Sequence, residues 1–401
     1  MSSSISSPRS NSQANPQPTT PTALGAGRSQ GTTTEQSSDS RARRFEPDLI
    51  RVVALVLVVV IHASPWPRQS DGAASFYSLL ALLARPSVPL LVILSGLLLA
   101  PGESRPPADA SFWRRRLGRT LLPWLPWALV YFLVDVVFTN MAPGLGSSWG
   151  WWVGGAGHLY FLLLIPQLYL LLAIWPNSRR GQKWALLAAV LIQVGVQLVR
   201  VVATLPAPGN SLTLSFGYEL APFWVGYFAI GLWLGPRLGG LRTGWLTLPV
   251  CLIAVAASAL LVLRDPLSQV ATHWGPWVEG TGAFLRPSLL LLTLAAFVFL
   301  WRLAKWVALG FQAIQRAIGG LSRHALGIYI VHPVLLLGIG TALQGSPGPL
   351  SLEQPLPGSL LPFALLIGLA VLGAWVVTRA LAAIPALAWT VGESVQPLRW
   401  R

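Results

Sequence analysis

A single histidine interrupts a long apolar run near the start of the chain, in RVVALVLVVVIHASPW, residues 51–66. His62 follows Arg51 by eleven residues, which on a helix is about three turns and roughly 16 Å of rise, so both side chains share one face. Imidazole can act as a general base or carry an acyl group as a nucleophile. Ionisable groups in apolar helices indicate function, although a bundle histidine can also simply hydrogen-bond a neighbouring helix.

Two further polar residues relate to the helix face that carries Arg51 and His62. Asp48 lies three residues before Arg51, close enough on a helix to pair with it. His332, in LGIYIVHPVLL, follows Arg323 by nine residues, or about 14 Å of helical rise, which predicts a depth similar to that of His62. A packing histidine beside a kink at Pro333 is the competing interpretation of His332.

Four arginines lie close together in FWRRRLGRTLLPW, residues 112–124. Arg116 and Arg119, at i and i+3, place both guanidinium groups on one helix face, which suits a phosphate-bearing ligand. Arginines at the cytoplasmic end of a span also signal topology, so that explanation stays open. Glu219 is another costly charge, expected to pair or to line a watery cavity. His158 precedes an apolar run, where capping or interface hydrogen bonding is the simpler explanation.

The composition is that of a membrane protein with several spans. Of 401 residues, 53% are hydrophobic and 10% charged, which lies outside the range of soluble globular domains. The formal charge of +15 could suggest nucleic acid, but the arginines form short clusters between apolar runs, so we expect no nucleic-acid partner. The single cysteine, Cys251, excludes an intramolecular disulfide and a cysteine-based metal site. We expect no metal site.

We predict an all-α, polytopic membrane bundle of about ten transmembrane helices with both termini in the cytoplasm. Residues 1–44 are expected to form a disordered cytoplasmic tail, and residues 382–401 a short cytoplasmic C-terminal tail. With the N-terminus inside, lysines and arginines fall at every cytoplasmic loop, as the positive-inside rule requires. Apolar runs of about 20 residues place the spans at 49–65, 77–100, 118–138, 158–175, 184–204, 219–235, 244–263, 283–301, 324–342 and 360–381.

In their order along the chain, these segments resemble the membrane-bound acyltransferase-3 family. The resemblance covers residues 45–381 and rests on DLIRVVALVLVVVIH with its Arg, ten residues, His pattern, on PSVPLLVILSGLLLA, on RRLGRTLLPW with its Arg-x-x-Arg step, on HLYFLLLIPQLYLL, on YELAPFWVGYFAIG and on LGIYIVHP. It implies a ten-helix acyltransferase domain in the inner or plasma membrane of a bacterial cell, in contact with membrane lipid.

The resemblance also implies a chemistry. An acyl group, commonly acetyl, would pass from cytoplasmic acyl-CoA to a hydroxyl of a glycan, a lipid-linked sugar or a similar acceptor. Acyl-CoA is then a co-substrate, and no bound cofactor is expected. Arg116 and Arg119 would hold the nucleotide part of the donor. His62 would act as general base or carry the acyl group, and Arg51 would position the donor or stabilise developing negative charge. The possible auxiliary residues are Asp48, His332 and Glu219.

Two other functions compete with acyl transfer. Buried His, Asp, Glu and Arg also suit a proton-coupled transporter or flippase for a sugar-bearing or anionic substrate. The sequence lacks an evident internal repeat, which argues against the inverted halves common in secondary transporters. An inactive membrane scaffold would have no need of His62.

Overall fold

Every regular element in the described part of the chain is helical. The computed structural model describes residues 44–67, 71–100, 110–139, 157–203, 219–238, 247–264, 286–346, 350–353 and 357–393. Its α-helices are α1 (Phe45–Ala63), α2 (Asp71–Ala84), α3 (Ser87–Leu99), α4 (Ala110–Thr139), α5 (Tyr160–Ile174), α6 (Arg179–Ala203), α7 (Val225–Leu234), α8 (Leu248–Leu263), α9 (Ser288–Val307), α10 (Gln312–Arg323), α11 (Ala325–Gln344) and α12 (Leu360–Ala383). Short 3-10 turns occupy Gly157–Leu159, Ala221–Phe223 and Ala388–Val391. The predicted all-α class is confirmed for these residues, whereas the predicted N-terminal tail lies outside them.

Nine of the ten predicted spans each overlap one α-helix, and the span 77–100 overlaps both α2 and α3. Among the described residues, six segments are long and apolar enough to cross a membrane, namely Phe76–Leu99, Ala110–Val134, Arg179–Val199, Ser288–Val307, Ala325–Gln344 and Leu360–Ala383. The helices α5, α7 and α8 are apolar but shorter, and α1 carries Glu46, Asp48 and Arg51 near its start. Ten crossings, and the cytoplasmic position of both termini, therefore stay predictions.

Exposed leucines mark the outer face of the bundle. On α4, Leu122, Leu125, Leu129 and Leu133 are each half exposed or more. They recur every three or four residues and so form one face of the helix. An exposed apolar stripe of this length is expected where lipid, rather than water, surrounds a protein.

The helix that carries His62 lies at the centre of the bundle. It packs against α2, α3, α9, α10, α11 and α12. Ile50, Ala54 and Val59 on α1 are fully buried. Because other helices surround α1, the face that carries Arg51 and His62 lies against protein rather than lipid.

Two glycines bring α3 and α7 into backbone contact. A Cβ at Gly96 would overlap the carbonyl oxygen of Phe228, and a Cβ at Gly231 would overlap that of Ile93. Small residues at such a crossing let two membrane helices approach closely. Since α3 also packs on α1, this contact ties α7 to the central helix.

Candidate active site

Three histidines from separate parts of the chain meet inside the bundle. Their ring centroids form a nearly equilateral triangle, with 5.3 Å between His62 and His332, 5.5 Å between His158 and His332, and 5.9 Å between His62 and His158. His62 lies in the last turn of α1, His158 in the 3-10 turn before α5, and His332 near the middle of α11. The predicted similar depth of His62 and His332 is confirmed, and His158 joins them.

The three rings differ in accessibility. His332 is fully buried, whereas His62 and His158 are half-buried. The accessible surface of the triangle therefore lies on His62 and His158. Arg85, buried between α2 and α3, lies close enough for its positive charge to act on the His62 ring.

The backbone around Pro333 fixes the tautomer of His332. Proline has no N–H, so the carbonyl of Tyr329, four residues earlier, loses its helical partner. The Nδ1 of His332 lies 2.7 Å from that carbonyl oxygen. A carbonyl can only accept, so Nδ1 carries the hydrogen and Nε2 keeps its lone pair. This Nε2 is buried and has no hydrogen-bond partner in the described part of the chain.

Two tyrosines frame the cluster. The ring of Tyr131 on α4 packs edge-on against His158, with 4.6 Å between centroids, and its hydroxyl donates to the carbonyl of Ile330 at 2.6 Å. The Nε2 of His158 lies 3.4 Å from the same carbonyl, and the hydroxyl of Tyr329 donates to the backbone carbonyl of His158. These bonds connect α4, the turn before α5 and α11, and so hold His158 in place.

At the other end of α1, Arg51 is part of a polar triangle. Its Nη1 donates to Oδ1 of Asp48 at 3.1 Å and to Oγ of Ser322 at 2.7 Å, and Ser322 itself donates to Asp48 at 2.7 Å. The predicted pairing of Asp48 with Arg51 is present. Ser322, in the last turn of α10, was not predicted. It fixes Arg51 to a second helix.

The paired arginines of α4 contact two other elements. The guanidinium of Arg116 lies 5.7 Å from the ring centroid of Phe112, and its charge acts on the Tyr169 hydroxyl on α5. The charge of Arg119 also acts on Tyr169, and its Nε donates to the carbonyl of Gly392 at 3.3 Å. Both arginines therefore lie near one point of α5.

Tyr169, the residue of α5 near these arginines, is separated from the histidines by about three helical turns. Tyr169 follows His158 by eleven residues, so about 16 Å of helical rise lies between them. Arg51 and His62 are separated by the same number of residues on α1. Arg116 and Arg119 on one side, and Arg51 on α1, are thus each about three helical turns from a histidine of the triangle.

Glu219 lies just before the 3-10 turn Ala221–Phe223. It is buried, and its backbone carbonyl accepts a hydrogen bond from Gln167 at the middle of α5. No group of His, Cys, Asp and Glu side chains among the described residues is arranged to hold a metal ion.

The residues missed from the sequence are joined by long-range contacts. His158 contacts helices that are more than 90 residues away along the chain in either direction. Neither its apolar context nor its position before a helix distinguishes it from a capping residue. A repeated histidine beside apolar segments, in GAGHLYF and IYIVHP, was the available signal.

Of three comparisons with known proteins, one finds a match. No curated protein matches the chain, and no solved structure matches it. A family model described as an acyltransferase domain matches residues 44–379, which include both the arginine and the histidine clusters. The chain therefore belongs to the acyltransferase-3 family and carries its acyltransferase domain in a helical, membrane-type bundle.

Proposed function

We propose that the protein is an integral membrane O-acyltransferase that moves an acyl group, in our view acetyl, from acyl-CoA to a hydroxyl of a cell-surface glycan, a lipid-linked sugar or a related acceptor. Family membership supports acyl transfer. The donor, the acceptor class and the bacterial cell membrane as location are our proposals. The observation that carries the site is the triangle of His62, His158 and His332 at three helical turns from Arg51.

In the proposed reaction, His62 removes the proton from the acceptor hydroxyl. The oxygen attacks the thioester carbonyl, the tetrahedral intermediate collapses with cleavage of the C–S bond, and the CoA thiolate takes the proton from the His62 imidazolium. Alternatively, His62 attacks first and carries the acyl group to the acceptor. A neutral ring is needed for either step. The accessible surface of His62 suits both.

The separation of about 16 Å assigns different roles to the two ends of α1. Arg51 is too far from His62 along the helix to stabilise negative charge on a carbonyl bound there. It suits positioning of the donor, with Asp48 orienting its guanidinium. The long pantetheine chain of CoA would bridge this separation, so that its phosphates lie near the arginines and its thioester near the histidines.

Arg116 and Arg119 are proposed to bind the anionic part of the donor. Two guanidinium groups on one helix face suit phosphate binding. His332 is proposed as an auxiliary polar residue beside His62, with a buried Nε2 that has no hydrogen-bond partner in the described part of the chain. Glu219 is proposed as an auxiliary residue, supported by its burial alone.

A proton-coupled transporter remains the alternative, and the family match does not favour it. The discriminating experiment incubates membranes that contain the protein with acyl-labelled acetyl-CoA and follows the label. Transfer of label to a glycan or lipid fraction supports the proposal. No transfer, with uptake of a labelled sugar instead, would favour the transporter.

A further inference from the structure

The chain folds back after α12 and docks beside the paired arginines. Residues 388–393, which we call the C-terminal turn, are closed by backbone hydrogen bonds from Gly392 to Trp389 and from Glu393 to Ala388, both 3.1 Å. Ala388 and Val391 are 3% and 1% exposed. The turn packs on α4, α11 and α12. It lies beyond residue 379, where the family match ends.

The part of α4 next to the arginines is weakly supported by its own backbone. Pro123 and Pro126 lie inside this helix. Because proline has no N–H, the carbonyls of Arg119 and Leu122, four residues earlier, lose their helical donors. The helix is therefore least constrained by its own hydrogen bonds immediately after Arg119. A side chain that binds the donor needs a fixed backbone position at this point.

The C-terminal turn contacts α4 on both sides of these prolines. Before them, Nε of Arg119 donates to the carbonyl of Gly392 at 3.3 Å. After them, Nε1 of Trp127 donates to the carbonyl of Thr390 at 2.9 Å. The bond through Nε leaves the two terminal nitrogens of Arg119 to bind a phosphate.

The turn is itself anchored to the start of α11. Oε1 of Glu393 lies 3.2 Å from Nδ1 of His324. Gly392 adopts a φ of 74°, a left-handed conformation that favours glycine. A Cβ there would also overlap the side chain of Leu326. The shape of the turn and its place against α11 thus depend on glycine at this position.

We propose that the C-terminal turn is a positioning element of the donor site, which holds Arg119 and the proline-weakened part of α4 in the arrangement that binds CoA. This inference rests on the proposed function, since Arg116 and Arg119 must be the donor-binding residues. The turn is bonded to Arg119 through the carbonyl of Gly392, so its proposed effect on the donor is exerted through Arg119. Its loss is expected to weaken CoA binding and to leave the acyl-transfer chemistry itself in place.

The test measures the Kd for CoA of the purified, full-length protein by calorimetry. Trp127→Phe keeps the ring and removes the N–H that binds Thr390, whereas Glu393→Ala removes the tie to His324. Trp184→Phe is the matched control, because this indole on α6 is 62% exposed. Each tie is one hydrogen bond, so we expect CoA binding to weaken about threefold to tenfold in both variants. We expect no change in the control and recovery in Glu393→Gln.

The possible outcomes separate the two proposals. If the wild-type protein fails to bind CoA, the proposed donor is wrong. If the wild type binds and both variants bind equally well at an unchanged melting temperature, only the positioning role is wrong. Tighter binding by the variants would show that the turn restrains Arg119 and would also overturn the inference. If one of the two variants has a lowered melting temperature, the comparison uses only the other variant.

Discussion

The rings of His62 and His332 lie 5.3 Å apart, centroid to centroid, although they belong to the first and eleventh helices. Because α1 also carries Arg51, this contact connects the histidine triangle to the polar triangle of Arg51, Asp48 and Ser322 at the other end of the helix. One central helix therefore joins the proposed chemistry to the proposed donor contact. The predictions below address these two levels separately.

Replacing Arg116 and Arg119 together with alanine is expected to raise the KM for acetyl-CoA about tenfold or more, because each guanidinium offers charge-assisted hydrogen bonds to the donor phosphates. The measurement is the initial rate of label transfer against acetyl-CoA concentration. Arg114 and Arg115, exposed at the same helix end, provide the control pair. A change in acceptor KM alone would contradict donor binding.

Ser322→Ala is expected to lower kcat/KM for acetyl-CoA by about threefold to tenfold, the effect of one hydrogen bond to a charged group. The variant removes the hydroxyl that connects α10 to Arg51 and Asp48. Ser322→Thr, which keeps the hydroxyl, should recover most of the activity. Equal activity of the alanine variant and the wild type would show that Ser322 does not orient Arg51.

Pro333→Ala is expected to lower kcat while the protein still accumulates in the membrane. The new N–H at position 333 would compete with His332 for the carbonyl of Tyr329 and so release the ring from its fixed tautomer. His332→Ala should lower kcat at least as much. If Pro333→Ala left kcat unchanged and His332→Ala lowered it, the tautomer would be irrelevant although the residue matters.

Gly231→Ala is expected to destabilise the bundle by about 1–3 kcal/mol, because the added Cβ overlaps the backbone of α3 and the two helices must separate. Gly368→Ala on α12 is the matched control, since its Cβ would meet nothing within 4 Å. Thermal unfolding in detergent compares the two. A Tm for Gly231→Ala equal to that of Gly368→Ala would contradict the close crossing of α3 and α7.

Local patterns were enough to predict most of the helices, although α10 lies between two predicted spans and the span 77–100 overlaps both α2 and α3. Apolar runs placed all ten segments on helices, because period and length determine where a membrane helix forms. The pairing of Asp48 with Arg51 was predictable for the same reason, since it depends on one turn of one helix. The similar depth of His62 and His332 followed from the rise per residue.

Contacts between distant segments were not predictable in this way. His158 reaches the triangle only because α4 and α11 position the turn before α5, and no spacing within GAGHLYF encodes that arrangement. Ser322 and Gly392 likewise act through residues more than 250 positions away. Serine and glycine are common in membrane helices because small residues allow close packing, so composition alone does not distinguish Ser322 and Gly392.

The most direct test of the account compares wild-type protein with His62→Ala in membranes supplied with acyl-labelled acetyl-CoA. Loss of a positioned general base or nucleophile is expected to reduce acyl transfer by about 10²- to 10⁴-fold. The amount of protein in the membrane, measured by immunoblot, should be unchanged. Transfer at the wild-type rate by His62→Ala would contradict the catalytic role of the histidine triangle.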